Sequence, residues 1–151
     1  MKLLPILLIF IAVSVFAEED CIFDESSYME FINKYSTEHR DSKIGPNGKT
    51  LLINRNNEEI LIKGGGCNHL GMTIELRTKQ AYTEEQFLQK VLDLSIEFGN
   101  WLINTKALKD SIAKGEYETI EGTYYIKVDA MTVFSASYDN QGKIHVDFYI
   151  N

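Results

Sequence analysis

The chain has 151 residues, of which 44% are hydrophobic and 25% charged, and its 22 acidic and 15 basic residues give a net charge of −7. Its acidic balance argues against nucleic acids and anionic membrane surfaces, which bind clusters of Lys and Arg. A basic protein partner would suit this charge better, although a net charge of this size also keeps a small domain soluble.

Residues 1–17 have the pattern of a secretory signal peptide. One basic residue precedes an apolar run from Leu3 to Val13, and Val15 and Ala17 supply the small residues that signal peptidase recognises. The run is shorter than the roughly 20 residues that span a bilayer, and three acids follow the segment directly. We therefore predict that the segment is cleaved and that residues 18–151 form a single domain, long enough to bury a core. That domain is predicted to be exported to a periplasm or the extracellular space, without a membrane span.

The first half of the predicted domain contains one short helix and two or three strands. Aromatic and aliphatic residues recur at helical spacing from Tyr28 to Tyr35, and the polar run 36–42 ends this helix. Two apolar runs, 51–53 and 60–62, flank an Asn-rich turn and predict a β-hairpin. The strand Met72–Arg77 alternates, with Met72, Ile74 and Leu76 on one face and Thr73, Glu75 and Arg77 on the other.

The second half contains one long helix and three strands. Residues 83–86 have the spacing of a capping box. A broad apolar stripe follows, made of Phe87, Leu88, Val91, Leu92, Leu94, Phe98, Trp101 and Leu102. Residues 106–114 predict a further turn or two of helix that Gly115 ends. Three β-rich runs complete the chain, at 117–128, 131–138 and 143–150.

This order of elements predicts an α+β fold. We expect an antiparallel sheet of about five to six strands, with one short N-terminal helix and one long central helix packed on one face. Tyr124 and Tyr125 are adjacent in a predicted strand and must face opposite sides of the sheet. At least one of these tyrosines is therefore expected outside the core, unless a helix covers it.

Cys21 and Cys67 are the two cysteines of the chain. An even number of cysteines in an oxidising compartment favours a disulfide. This bridge would close a loop of roughly 45 residues and contribute about 3–4 kcal/mol of stability. The alternative is a free Cys67 that acts as a nucleophile or a metal ligand.

A glycine-rich segment between the predicted strands is the candidate partner-binding loop. Its residues are Gly64, Gly65, Gly66, Asn68, His69, Leu70 and Gly71, together with Cys67. The segment is not a phosphate-binding loop, because Met72-Thr73 stands where that motif needs Lys-Ser/Thr. A structural zinc site needs four ligands, and only His39 and His145 remain as further nitrogen donors. The sequence therefore predicts neither a metal nor a cofactor.

Three functions fit these features. The first is a small exported binding protein, most concretely an inhibitor or immunity-type protein that binds a secreted enzyme or toxin. The second is a thiol-dependent hydrolase in which Cys67 is the nucleophile and His69 or His145 is the base. The third is an envelope-associated structural domain without a catalytic site. The sequence favours the first, because it supplies export, small size and acidic charge but no assembled catalytic set.

Overall fold

The computed structural model describes residues 26–64 and 70–150. Among these residues it contains three helices and one sheet of eight strands. The helices are α1 (Ser26–Glu38), α2 (Glu84–Gly99) and α3 (Thr105–Lys114). The strands of the first half are β1 (Ser42–Ile44), β2 (Thr50–Arg55), β3 (Glu58–Gly64) and β4 (Leu70–Arg77). Those of the second half are β5 (Tyr117–Ile120), β6 (Thr123–Ile126), β7 (Thr132–Tyr138) and β8 (Lys143–Ile150).

The sheet is formed by two antiparallel meanders that meet at its centre. The strand order is β1-β2-β3-β4-β8-β7-β6-β5, and every neighbouring pair is antiparallel. The central pair, β4 and β8, matches residue by residue from Leu70 opposite Ile150 to Arg77 opposite Lys143. The helices α2 and α3 connect the two meanders in sequence. The last strand, β8, lies beside β4, and β1 and β5 are the two outer strands.

The predicted element count is wrong. The fold is α+β with an antiparallel sheet, but it has eight strands and three helices among the described residues, not five to six strands and two helices. The run 117–128 is two strands, because Glu121 (φ 51°) and Gly122 (φ 80°) reverse the chain between them. The short strand β1 begins within the segment that composition marks as polar. Residues 105–114 form a separate helix, because the Asn104 side chain accepts the Ala107 N–H as an N-cap.

The helices pack on one face of the sheet. Alternate residues of the inner strands point to this face and are buried: Leu51, Ile53, Ile60, Ile62, Met72, Ile74, Leu76, Phe134, Ala136, Ile144, Val146 and Phe148. The predicted capping box forms at the start of α2, where the Thr83 hydroxyl accepts the Gln86 N–H and the Gln86 side chain accepts the Thr83 N–H. At the other end of α2, Gly99 lies so close to Phe148 that a Cβ would stand 2.7 Å from the ring. The opposite face of the sheet, called the open face below, carries no helix among the described residues.

Candidate functional site

The predicted binding loop connects β3 to β4. Gly64 is the last residue of β3, and Leu70 and Gly71 are the first residues of β4. Gly65, Gly66, Asn68 and His69 lie outside the described residues, as do Cys21 and Cys67. The role of this loop in binding therefore stays a prediction.

Two glycines of the predicted loop have a packing role. A Cβ on Gly64 would overlap the ring of Tyr28. This ring is buried, and its hydroxyl donates to the Lys49 carbonyl oxygen at 3.0 Å. A Cβ on Gly71 would stand 2.9 Å from the Cβ of Tyr149 and 3.0 Å from the Phe148 carbonyl oxygen. Close approach of α1 and of β8 therefore accounts for glycine at both positions.

The hydrolase alternative finds no support from the surroundings of His145. This residue lies half-buried on the open face, opposite Glu75 on β4 and Ser137 on β7. Both oxygens of Glu75 are already in ion pairs with lysines, and no hydrogen bond joins His145 to a carboxylate among the described residues. A catalytic base needs such an orienting group. Cys67 and His69 are outside the described residues, so a thiol nucleophile stays a hypothesis.

Glu75 forms the centre of the open face. Its Oε1 lies 2.8 Å from Lys63 Nζ and its Oε2 lies 3.0 Å from Lys143 Nζ, so one carboxylate joins β3, β4 and β8. The hydrogen bond from Lys63 and the contacts with Lys143 outweigh the effect of burial and lower the pKa of Glu75 to about 2. Beside it the Thr73 hydroxyl donates to Asp147 Oδ1 at 2.7 Å. These groups are satisfied by one another, which favours a structural role.

A second charged cluster fastens α2 to α1 and β2. Arg55 donates to both oxygens of Glu97, and the Tyr35 hydroxyl donates to Glu97 Oε1 at 2.8 Å. Burial raises the pKa of Glu97, but the hydrogen bonds from Arg55 and Tyr35 outweigh it, so that its pKa is lowered. The Tyr35 ring stacks on His39 with centroids 4.0 Å apart. The cluster joins three elements and is also explained by packing.

The outer strand β5 leaves backbone groups unpaired. The Lys127 N–H donates to the Glu116 carbonyl at 3.3 Å, so the backbone carbonyl of Glu116 points toward the strand that follows, β6. Backbone groups alternate in direction along a strand, and therefore Tyr117 and Thr119 point their N–H and C=O groups away from the sheet. Among the described residues no hydrogen bond is formed by these outward groups. This row of donors and acceptors, called the β5 edge below, can accept a further strand.

The opposite edge of the sheet is partly closed. Asn54 N–H donates to the Asp41 carbonyl and Gly45 N–H donates to the Thr50 carbonyl, so Ser42 is directed outward from β1. Its N–H already donates to the His39 carbonyl at 3.1 Å, at the end of α1. The strand has only three residues, and Pro46 follows shortly after it. Both features are typical of edges protected against strand addition.

Two concave surfaces flank the β5 edge. On the helix side, a groove of about 730 Å³ lies between α2 and α3, and Tyr117 of β5 forms part of its wall. The apolar part of its lining is formed by Leu88, Leu92, Ile112, Ala113 and Tyr117. At the start of β5, a cleft of about 480 Å³ lies between β5, the end of β6 and the start of β7. This cleft forms because β6 pairs with β7 only from Thr123 to Tyr125.

The residues around the β5 edge are acidic and partly apolar. Glu118 and Glu121 are exposed and form no ion pair among the described residues, while Glu116 lies 3.9 Å from Lys114. Ile120 and Tyr125 expose large apolar side chains on the open face. Tyr125 points there because Tyr124, its neighbour, contacts Phe87 of α2 on the other face.

Sequence reasoning missed this site because it predicts one strand over 117–128. The signal for the site was Gly122, a turn residue inside the run.

Several kinds of site are not found within residues 26–64 and 70–150. No helix in this part of the chain is both long and apolar enough to cross a bilayer. The same residues contain no group of three or more His, Cys, Asp or Glu side chains placed to hold a metal ion. Comparison with protein-family models, with curated proteins and with solved structures finds no match to this chain.

Proposed function

We propose that this protein is exported and binds another exported protein, as an inhibitor or immunity-type protein that blocks a secreted enzyme or toxin. The observation that carries the proposal is the β5 edge, whose outward backbone groups form no hydrogen bond within residues 26–64 and 70–150, beside a partly apolar groove. Exposed edges of this kind are sites of strand addition by another chain. At the other outer strand, β1, the outward N–H of Ser42 already donates to the His39 carbonyl, so that edge is partly closed.

The predicted loop belongs to the same proposal. Gly64 and Leu70, where the loop leaves and rejoins the sheet, lie at the same end of the sheet as Tyr117 at the start of β5. Four strand spacings separate β4 from β5, which corresponds to about 20 Å. A partner with a contact surface of ordinary size can reach both regions.

The packing of α1 supports a disulfide between Cys21 and Cys67. Tyr28, seven residues after Cys21, rests against Gly64, three residues before Cys67. The two residues that form this contact, Tyr28 and Gly64, therefore lie within seven and three residues of the two cysteines. A bridge there would fasten the start of the processed chain to the predicted binding loop.

Capture of the native partner tests the function. The full-length chain with a C-terminal tag is expressed in its native cells, and the exported, processed form is recovered from the exported fraction. We expect its N-terminus at Glu18 and one dominant, stoichiometric exported partner. Association should weaken as salt rises, because exposed charges are screened. Recovery of the processed protein without any stoichiometric partner would contradict the proposal, and an uncleaved chain retained inside the cell would contradict export.

A further inference from the structure

We infer that the β5 edge binds an extended segment of the partner in which basic and apolar side chains alternate. The inference rests on the proposed binding function and specifies the partner's chemistry. The segment would pair with Tyr117 and Thr119 and extend the sheet by a ninth strand.

The backbone of β5 sets the geometry of this pairing. Tyr117 and Thr119 each direct one N–H and one C=O group outward, so an added strand can form up to about four hydrogen bonds with them. The turn after β5 does not cover the edge, because Glu121 and Gly122 lead the chain back toward β6. Hydrogen bonds to the backbone bind any extended segment, and the side chains must supply the specificity.

The two faces of β5 favour different side chains on the added strand. On the open face, Glu118 is exposed without an ion-pair partner among the described residues, and Glu121 follows at the turn. A Lys or Arg of the added strand on this face would lie beside Glu118, where opposite charges on neighbouring strands attract. On the helix face, the next side chain of the added strand points toward the groove beside Tyr117, whose wall combines the apolar Leu88 and Ile112 with Glu84 and Glu85 at its polar part. An apolar side chain fits there, and alternation along a strand places the two types at successive positions.

Charge argues against a second copy of this chain as the occupant. Self-pairing of β5 would bring Glu116, Glu118 and Glu121 of both copies together on one short ladder. Like charges on neighbouring strands repel each other. Three acids on each side would oppose such a dimer, whereas they would attract a basic segment.

A defined peptide tests the inference without the native partner. The probe is a short blocked peptide in which Lys alternates with Val, and its control is the same peptide with Glu in place of Lys. Titration of the isotope-labelled, processed protein is followed by the NMR amide signals of Tyr117 and Thr119. We expect the basic peptide to shift these signals and slow their hydrogen exchange, with little change in β1, and the acidic peptide to bind at least about tenfold more weakly.

Two variants separate the backbone and charge contributions. Thr119→Pro removes one outward N–H without breaking the pairing with β6, and Thr119→Ala is its matched control. We expect Thr119→Pro to bind the basic peptide at least about tenfold more weakly than wild type. Thr119→Ala should bind it within about twofold of the wild-type affinity. Glu118→Lys leaves the backbone intact. It should weaken binding of the basic peptide by about three- to tenfold and strengthen binding of the acidic one. Circular dichroism checks that each variant is folded, and Glu118→Lys keeps the test decisive if Thr119→Pro fails to fold.

The outcomes distinguish this inference from the proposed function. If the native partner binds wild type, Thr119→Pro and Glu118→Lys equally well, the edge is not the binding site although the protein binds a partner. If the basic and acidic peptides bind alike, or neither shifts Tyr117 and Thr119, the inferred chemistry is wrong. If sedimentation shows a dimer of this chain that Thr119→Pro dissociates, a second copy occupies the edge and the inference is overturned.

Discussion

Replacement of Glu75 by Gln should destabilise the protein by removing the charge at the centre of the open face. Glu75 has 11% of its side chain exposed and holds Lys63 at 2.8 Å and Lys143 at 3.0 Å. The amide introduced by Glu75→Gln keeps the shape of the side chain but leaves both ammonium groups without their carboxylate. The variant therefore isolates the charge from the packing.

The pKa of Glu75 gives the size and the pH dependence of this effect. Lys63 and Lys143 lower it from 4.5 to about 2, and a shift of this size corresponds to at most about 3 kcal/mol. The lysines are 45% and 32% exposed, so solvent screening reduces the expected loss to about 1–2 kcal/mol at pH 7. Because the folded pKa lies below the unfolded one, this stabilisation is complete above about pH 5. It is lost as the pH falls toward 2.

Urea unfolding followed by Trp101 fluorescence measures the effect. We expect Glu75→Gln to unfold more readily than wild type at pH 7, and the difference in free energy to fall by about half at pH 3. Glu59→Gln is the matched control. The side chains of Glu59 and its ion-pair partner Arg77 are 49% and 66% exposed, so this pair should contribute less than about 0.5 kcal/mol. A difference between Glu75→Gln and wild type that stays below about 0.3 kcal/mol at pH 7, or that does not depend on pH, would show that the charge of Glu75 does not stabilise the fold.

Three further predictions concern packing, the second charged cluster and the cysteines. Gly64→Ala should lower stability by about 1–3 kcal/mol, because its Cβ would overlap the buried Tyr28 ring; a loss under about 0.3 kcal/mol in urea unfolding would contradict that packing. Arg55→Lys should cost about 0.5–1.5 kcal/mol by the same measurement, because Lys lacks the planar guanidinium fork that donates one N–H to each oxygen of Glu97; equal stability would show that the two-point contact contributes nothing. Labelling of the exported protein without reductant should detect no free thiol, and reduction should lower its stability by about 3–4 kcal/mol; two free thiols would exclude the Cys21–Cys67 bridge.

Local patterns were informative where one face of an element is buried. The alternation of Met72–Arg77 placed Met72, Ile74 and Leu76 on one face, and all three are buried beneath the helices. The spacing of Thr83 and Gln86 predicted the capping box that forms at α2. These signals depend on residues close in sequence, which is why they can be read from sequence alone.

Features that depend on distant residues or on an unusual backbone were missed. The sequence pattern places Glu75 on the face opposite Met72, Ile74 and Leu76 but does not identify its partners. Lysines from β3 and β8 enclose it, and only the pairing of the strands brings them together. The turn between β5 and β6 uses Glu121 at positive φ, a conformation that a residue of this type adopts rarely. With that turn unrecognised, the β5 edge could not be identified. The β3–β4 loop was therefore the region to which the sequence assigned partner binding.

Hydrogen exchange of the protein in complex with its native partner tests whether β5 receives the partner. We expect amide exchange to slow in the segment Tyr117–Ile120 on binding, while exchange in β1 is unchanged. Slower exchange at Gly64–Gly71 as well would agree with a partner that reaches both regions at this end of the sheet. Unchanged exchange in Tyr117–Ile120 in a fully bound complex would contradict the claim that β5 receives the partner.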